Sequence, residues 1–334
     1  MKKFLAIFIF LFCAKNLSAH PGIGIVKDSK GNIYYTDLKQ VWKVFPNGEK
    51  TSVVSGVHTH ELYIDSQDNL YGEHLWYNGE KQNTWGYYVW RLKNTGELAK
   101  VIEPTEGFRE DYSFVRDSSG NMYWVERFTV SRIMKKDPDG KISKLLEGKF
   151  GFIGWLHAST DGTIYFTENN KLHKLSPDGN FSVLADNLNS KTTGFSIMGH
   201  NYDSYGIWTD AADNIYIAMI DAKKVIRISP DGKVQTILYS NSLWTVCSGL
   251  FDNDGNMWLL EYSVTNETRA RKISKEELTG VGEPAKQFTR QVHLLVTILT
   301  GASVIILFFL LKWVLNNRKN KLLQGSPYRQ TILA

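Results

Sequence analysis

The sequence predicts an all-β fold, a six-bladed β-propeller, with one transmembrane helix C-terminal to it. Two observations carry this. A seven-residue phrase recurs six times in about 230 residues: an acidic or hydroxyl residue, three residues, Asn or Thr, a hydrophobic residue, then Tyr or Trp. Farther on, the run that Val292 opens and Leu311 closes is twenty residues without Asp, Glu, Lys or Arg. Repetition at this period marks units that bury their faces only against neighbouring units. The apolar run, at ~1.5 Å per residue, is long enough for a ~30 Å hydrocarbon core.

In chain order, residues 1–19 read as a secretory signal: Lys2 and Lys3, an apolar stretch from Phe4 onward, then Leu17-Ser18-Ala19 as a small-residue cleavage site. Residues 20–288 are the propeller, 289–315 the membrane helix with its flanks, and 316–334 a short basic tail. Lys312, Arg318, Lys319 and Lys321 follow the apolar run, which places the tail in the cytoplasm and the propeller outside it, in a periplasm or at a cell surface. The net charge of +5 belongs to these ends. Residues 1–19 hold Lys2, Lys3 and Lys15, residues 291–334 hold Lys312, Arg318, Lys319, Lys321 and Arg329, and neither segment holds an acid, which leaves 31 bases against 34 acids between them. A slightly acidic body lacks the electrostatic footprint of a nucleic-acid binder, so no nucleic-acid partner is expected. With the signal removed, Cys247 is the only cysteine, and no internal disulfide is possible.

The six copies begin at Asp28, Asp65, Asp117, Ser159, Asp210 and Asp252. Their Asn/Thr positions are spaced by 37, 52, 42, 51 and 42 residues, near the length of a four-stranded blade. Each phrase is an Asp/Gly/Asn turn between short apolar stretches, which marks a tight hairpin. A third strand follows, such as Leu172-His173-Lys174-Leu175 before Pro177-Asp178-Gly179, and a fourth, such as Val234-Gln235-Thr236-Ile237-Leu238, completes the unit. The last unit departs from this: after Ile273 comes Ser274-Lys275-Glu276-Glu277-Leu278, a helical turn, and its fourth strand is open, with residues 284–288 one candidate.

This turn-strand-turn grammar, with its Asn-Ile-Tyr and Ser-Pro-Asp-Gly phrases, resembles NHL-type six-bladed propellers and the related gluconolactonase-like (senescence-marker) and streptogramin-lyase-like propellers, over roughly residues 22–275. The resemblance implies the fold and leaves the activity open, since these families include lactonases, lyases and binding modules.

In a propeller, two positions per unit converge on one face: about eight residues before the repeat Asn/Thr and five after it. The first set reads Gly24, Glu61, Ser113, Trp155, Gly206 and Ser248; the second reads Asp37, His74, Glu126, Glu168, Met219 and Glu261. Acids that recur whatever the blade suit turn capping, or else a ring able to hold a cation. His74 breaks the pattern. Alternation places His58 and His60 on one side of the neighbouring strand, so His58, His60 and His74 are candidate ligands of a divalent metal, zinc or calcium. His200 with Asp203 is a further rim candidate, whereas His157 reads as a core residue. The resemblance adds two expectations. Glu61 matches the glutamate by which gluconolactonase-like propellers hold a divalent cation, although the other channel positions supply no Asn or Asp. Streptogramin-lyase-like enzymes use a His and a Glu as acid–base partners, which His60 with Glu126 or Glu168 would imitate, although the spacing is too loose to carry the activity over. Trp76, Tyr77 and Trp85 are read as loop aromatics available to a ligand.

Two functions are therefore carried forward. One is a membrane-anchored module that binds a small molecule or partner protein on the rim through Glu61, Trp76, Trp85, Trp155 and His200. The other is a metal-dependent hydrolase or lyase, with the cation on His58, His60 and His74 and Glu126 or Glu168 as base.

Overall fold

A computed structural model of the chain describes residues 22–107, 111–127, 129–188, 204–240, 243–263 and 265–280, all within the unit Met1–Gly282. The signal segment, His200 and residues 292–311 lie outside the described residues. Among the described residues, no helix is long and apolar enough to cross a membrane.

Six antiparallel sheets form six blades. Blade 1 is β1 (Ile25–Lys27), β2 (Ile33–Thr36), β3 (Gln40–Val44) and β4 (Lys50–Ser55). Blade 2 is β5 (Leu62–Ile64), β6 (Leu70–Tyr77), β7 (Trp85–Leu92) and β8 (Leu98–Glu106), with a short helix α1 (Gly79–Gln82) between β6 and β7. Blade 3 has three strands, β9 (Met122–Arg127), β10 (Ser131–Lys136) and β11 (Ile142–Gly148). Blade 4 is β12 (Ile153–Ala158), β13 (Ile164–Glu168), β14 (Lys171–Leu175) and β15 (Phe181–Ala185), and blade 5 is β16 (Ser204–Thr209), β17 (Ile215–Met219), β18 (Lys224–Ile228) and β19 (Val234–Tyr239). Blade 6 is β20 (Trp244–Phe251), β21 (Met257–Ser263) and β22 (Thr268–Ile273), followed by α2 (Lys275–Gly280).

The repeated phrase is a hydrogen-bonding device. In blade 3 the Asp117 carboxylate accepts the amides of Ser119 and Asn121 (both 3.0 Å), the Asn121 side-chain amide (2.6 Å) and the Tyr123 hydroxyl (2.7 Å). Asp28, Asp65 and Asp210 repeat the arrangement with Tyr34, Tyr71 and Tyr216. Asp252 repeats it with the indole N–H of Trp258. Each member of the phrase is thus fixed by the same carboxylate, which explains why Asp, Asn and an aromatic donor travel together. In blade 4, where Ser159 replaces Asp, the carboxylate comes from inside the turn: Asp161 accepts the Thr163 amide and hydroxyl. The residue before the Asn/Thr is left-handed in all six turns, with φ between 59° and 84°, and is only ever Gly or Asp.

The same turns tie blade to blade. The Ser29 amide and hydroxyl donate to Asp68, and the Ser118 hydroxyl to the Thr160 carbonyl. Among the described residues, the ring closes by side-chain packing and hydrogen bonds between blades 1 and 6. Ile25, Ile33 and Tyr35 of blade 1 pack with Val246, Cys247 and Leu259 of blade 6, and Lys27 Nζ donates to the Phe251 carbonyl (3.0 Å) and Asn253 Oδ1 (2.7 Å). The helical turn read after Ile273 is α2, and it opens on reciprocal caps. The Ser274 amide donates to Glu277 Oε2 (2.9 Å) and the Glu277 amide to Ser274 Oγ (3.1 Å). The 284–288 candidate strand lies outside the described residues.

Two features differ from expectation. Trp76 and Trp85 are strand residues, not loop residues, because β6 and β7 run on as a long hairpin in which Trp76 faces Gly86 and Tyr77 faces Trp85. Among the described residues, blade 3 has no regular innermost strand: only Arg116 bridges to Met122.

Candidate functional site

The site begins with a residue that stands outside the repeated phrase. Glu73, on β6, is fully buried, and its Oε1 accepts the amides of His60 (2.6 Å) and Glu61 (3.1 Å). Thr59, also fully buried, donates its hydroxyl to the Glu73 carbonyl (2.5 Å) and accepts the Thr36 hydroxyl of blade 1 at its own carbonyl (2.7 Å). The His60 carbonyl accepts the amides of Ile23 (2.9 Å) and Gly24 (2.8 Å). The stretch from His58 to Glu61 is not a strand, yet each peptide in it is anchored to blade 1 or blade 2. That is the preorganisation a binding residue needs.

His58 and His60 meet as predicted: their Nε2 atoms are 2.7 Å apart and their ring centroids 4.8 Å. At that distance one nitrogen donates a proton and the other accepts it. His74 is beside them, but its Nδ1 accepts the His58 amide (3.1 Å) and its ring stacks on Tyr88. Burial lowers His58 below the ordinary imidazole range; it does the same for His74, helped by His58. Both are neutral near pH 7. Among the described residues, no set of three His, Cys, Asp or Glu groups is arranged to hold a metal ion. The donors of this trio do not fit a three-ligand cation site, since His74 turns one nitrogen to the backbone and the other two nitrogens hold each other.

His60 and Glu61 face a cavity of about 500 Å³ that reaches from blade 2 across blade 3 to Trp155 of blade 4 and Tyr205 of blade 5. Ser113 and Tyr112 line it on the approach to blade 3, and Trp124 and Arg127 line it from β9. Arg127 Nη2 donates to the Ile153 carbonyl (2.8 Å), and its guanidinium lies 5.0 Å from the Phe152 ring centroid. Trp155 and Tyr205 contact each other at 5.5 Å. The cavity therefore has aromatic walls and a few polar groups converging from different blades, the usual make-up of a small-ligand site.

Two solved structures with TM-scores above one half share this architecture. One is a gluconolactonase from Xanthomonas campestris, TM-score 0.52, 12% identical, covering 75% of this chain and 85% of that one. The other is a luciferin-regenerating enzyme, TM-score 0.51, 14% identical, covering 72% of this chain and 83% of that one. A streptogramin B lyase also aligns, with TM-score 0.43 and 16% identity over 77% of this chain and 96% of its own. The likeness is one of fold. No family model matches the chain, and no curated protein matches it.

The carboxylates five residues after the repeat Asn/Thr are engaged by neighbouring turns and strands. Asp37 accepts the Lys39 and Gln40 amides (both 2.9 Å) and the Trp42 indole N–H (2.8 Å). Glu168 accepts the Gly151 amide (2.7 Å) and pairs with His173 (3.3 Å). Glu261, 1% exposed, is clasped by Arg269 (2.8 Å) and Arg271 (2.7 Å). Glu126 faces Arg132 at 3.7 Å, and that arginine also holds Glu147 at 2.5 Å. Neither Glu126 nor Glu168 lines the cavity, and neither do Trp76 and Trp85. Trp76 lies over Gly86 and Trp85 is 38% exposed beside Tyr77, so the two belong to the surface of the β6–β7 hairpin.

His157 lies on β12 and is half-buried rather than a core residue. Its Nε2 pairs with Thr209 Oγ1 of the next blade (3.2 Å), and burial pushes it down to about 4. An unfolded histidine titrates near ~6.5, so its contribution to stability is complete above that pH and is lost as the pH falls toward 4. A histidine-resolved NMR titration is expected to leave His157 neutral through pH 5; a midpoint near 6.5 would contradict the placement. Arg127 and Glu73 were missed because neither stands in the repeat positions that converge on the rim. Glu73 carried one signal, a charged residue one step before His74 inside an otherwise apolar strand.

Proposed function

We propose that the chain is an extracytoplasmic six-bladed propeller, anchored by residues 292–311, that binds a ligand or partner protein in the cavity bounded by His60, Glu61, Ser113, Arg127 and Trp155. The observation that carries this reading is the convergence of those polar groups, from separate blades, on one aromatic-walled cavity of about 500 Å³. The basic tail after residue 311 and the signal-like residues 1–19 support the anchoring and the orientation.

A second reading, hydrolase or lyase chemistry, is favoured by one observation. His60 stands at the cavity beside Glu61 with His58 behind it at 2.7 Å, so a proton taken up at His60 has a second imidazole to share it. No step is routed through a metal, because the donor set does not fit one.

Two measurements on the full-length chain test these readings. With 5-fluorotryptophan incorporated, a fragment library is expected to shift the ¹⁹F resonance of Trp155 and leave that of Trp42 in place; no fragment acting on Trp155 would sink the cavity reading. Elemental analysis after dialysis against zinc and calcium is expected to give no stoichiometric metal. A bound equivalent that disappears in His60→Ala would restore the metal-dependent enzyme.

A further inference from the structure

We infer that the cavity binds an extended peptide segment, which pairs as a strand with the inner edge of β9. This rests on the cavity reading above and names the class of ligand.

Blade 3 is where the propeller departs from its own repeat. The other five blades each have an innermost strand: β1, β5, β12, β16 and β20. In blade 3 the equivalent residues begin the same ladder and abandon it. Arg116 bridges to Met122, and the Tyr123 amide donates to the Val115 carbonyl (3.0 Å). The return bond is not made, because the Val115 amide turns to Ser113 Oγ instead (3.1 Å). In blade 1 the ladder continues past this point, with the Thr36 amide donating to the Gly24 carbonyl (3.1 Å).

Among the described residues, the consequence is an open strand edge. A residue in a strand turns its N–H and its C=O to the same side, and successive residues alternate. The Tyr123 amide points inward, so the Tyr123 carbonyl and both backbone groups of Val125 point inward too. Tyr123, Trp124, Val125 and Arg127 all line the cavity, which lies along this edge. Trp124 adds an indole N–H that has no partner among the described residues. A row of alternating donors and acceptors at strand spacing, ~3.3 Å per residue, is matched by another extended backbone. Trp155, Phe152 and Tyr112 line the same cavity and offer apolar surface to the side chains of such a segment.

The test uses the full-length chain and a library of N-acetylated, C-amidated hexapeptides. The tightest peptide found is resynthesised with a single N-methyl group at each position in turn. Pairing on the β9 edge predicts that methylation at alternate residues weakens binding tenfold or more, while methylation between them changes it less than threefold. Val125→Pro, which removes one inward amide, should weaken the unmodified peptide tenfold. Ser113→Ala frees the Val115 amide to rejoin the ladder and should weaken it as well, in a variant that keeps the edge strand intact. A flat methylation profile, or peptide binding that both variants leave unchanged, overturns the inference. If no hexapeptide binds but fragments still shift Trp155, the peptide inference fails and the cavity reading stands; if neither acts, both fail.

Discussion

Asp117→Ala is expected to lower the unfolding free energy by about 3–5 kcal/mol, read from urea denaturation of the full-length chain. The carboxylate is buried and accepts four donors, two backbone amides, the Asn121 side chain and the Tyr123 hydroxyl. Alanine leaves those donors in place with nothing to receive them, and a buried donor without a partner costs more than the bond contributed. The same turn carries acids with a measurable pH dependence. Burial alone would raise Asp65 and Asp252, but the side-chain and backbone donors of Asn69 and Asn256 hold both below the ordinary carboxylate range. A depressed carboxyl stabilises the fold above its unfolded value, ~3.9, and that stability is lost as the pH falls through the lower folded value. Thermal stability should therefore decline below about pH 4, and the decline should shrink when Asp252 is replaced. A loss under 1 kcal/mol for Asp117→Ala would show that the turn is held by its backbone alone.

Glu73→Ala is expected to cost about 3 kcal/mol and to abolish the fragment-induced shift at Trp155, because Glu73 orders the backbone that presents His60 and Glu61. Glu73 is a positioning residue. Glu73→Gln keeps an acceptor for one or both amides and should recover most of the stability and part of the shift. If Glu73→Ala loses stability but keeps the Trp155 response at full amplitude, the His58 to Glu61 segment does not depend on Glu73, and the site is held by the contacts to Gly24 and Thr36.

The blade count and the positions of the hairpins were legible in the chain because the device that makes each hairpin is local. Asp, Asn and Tyr lie within seven residues and bond to one another, so selection for the turn writes a phrase that repeats. The meeting of His58 with His60 was legible for a similar reason, since two residues apart in an extended segment share a side. Elsewhere the residue type was read correctly and its partner was not. Glu168 and Glu126 stand at the rim end of their strands, and what engages them, Gly151, His173 and Arg132, comes from neighbouring turns and strands whose register no local phrase encodes.

By itself, then, the sequence determined the six-fold repeat, the turn chemistry and the charge map, all of which depend on contacts within a few residues. Only the tertiary structure decided the cavity, the engagement of the rim acids and the broken ladder of blade 3. The cavity joins residues nearly 150 positions apart, from His60 to Tyr205, and the ladder breaks because a single amide prefers the Ser113 hydroxyl to the strand beside it. Competition between one hydrogen bond and another leaves no periodicity in a sequence; it is settled when the blades close on one another.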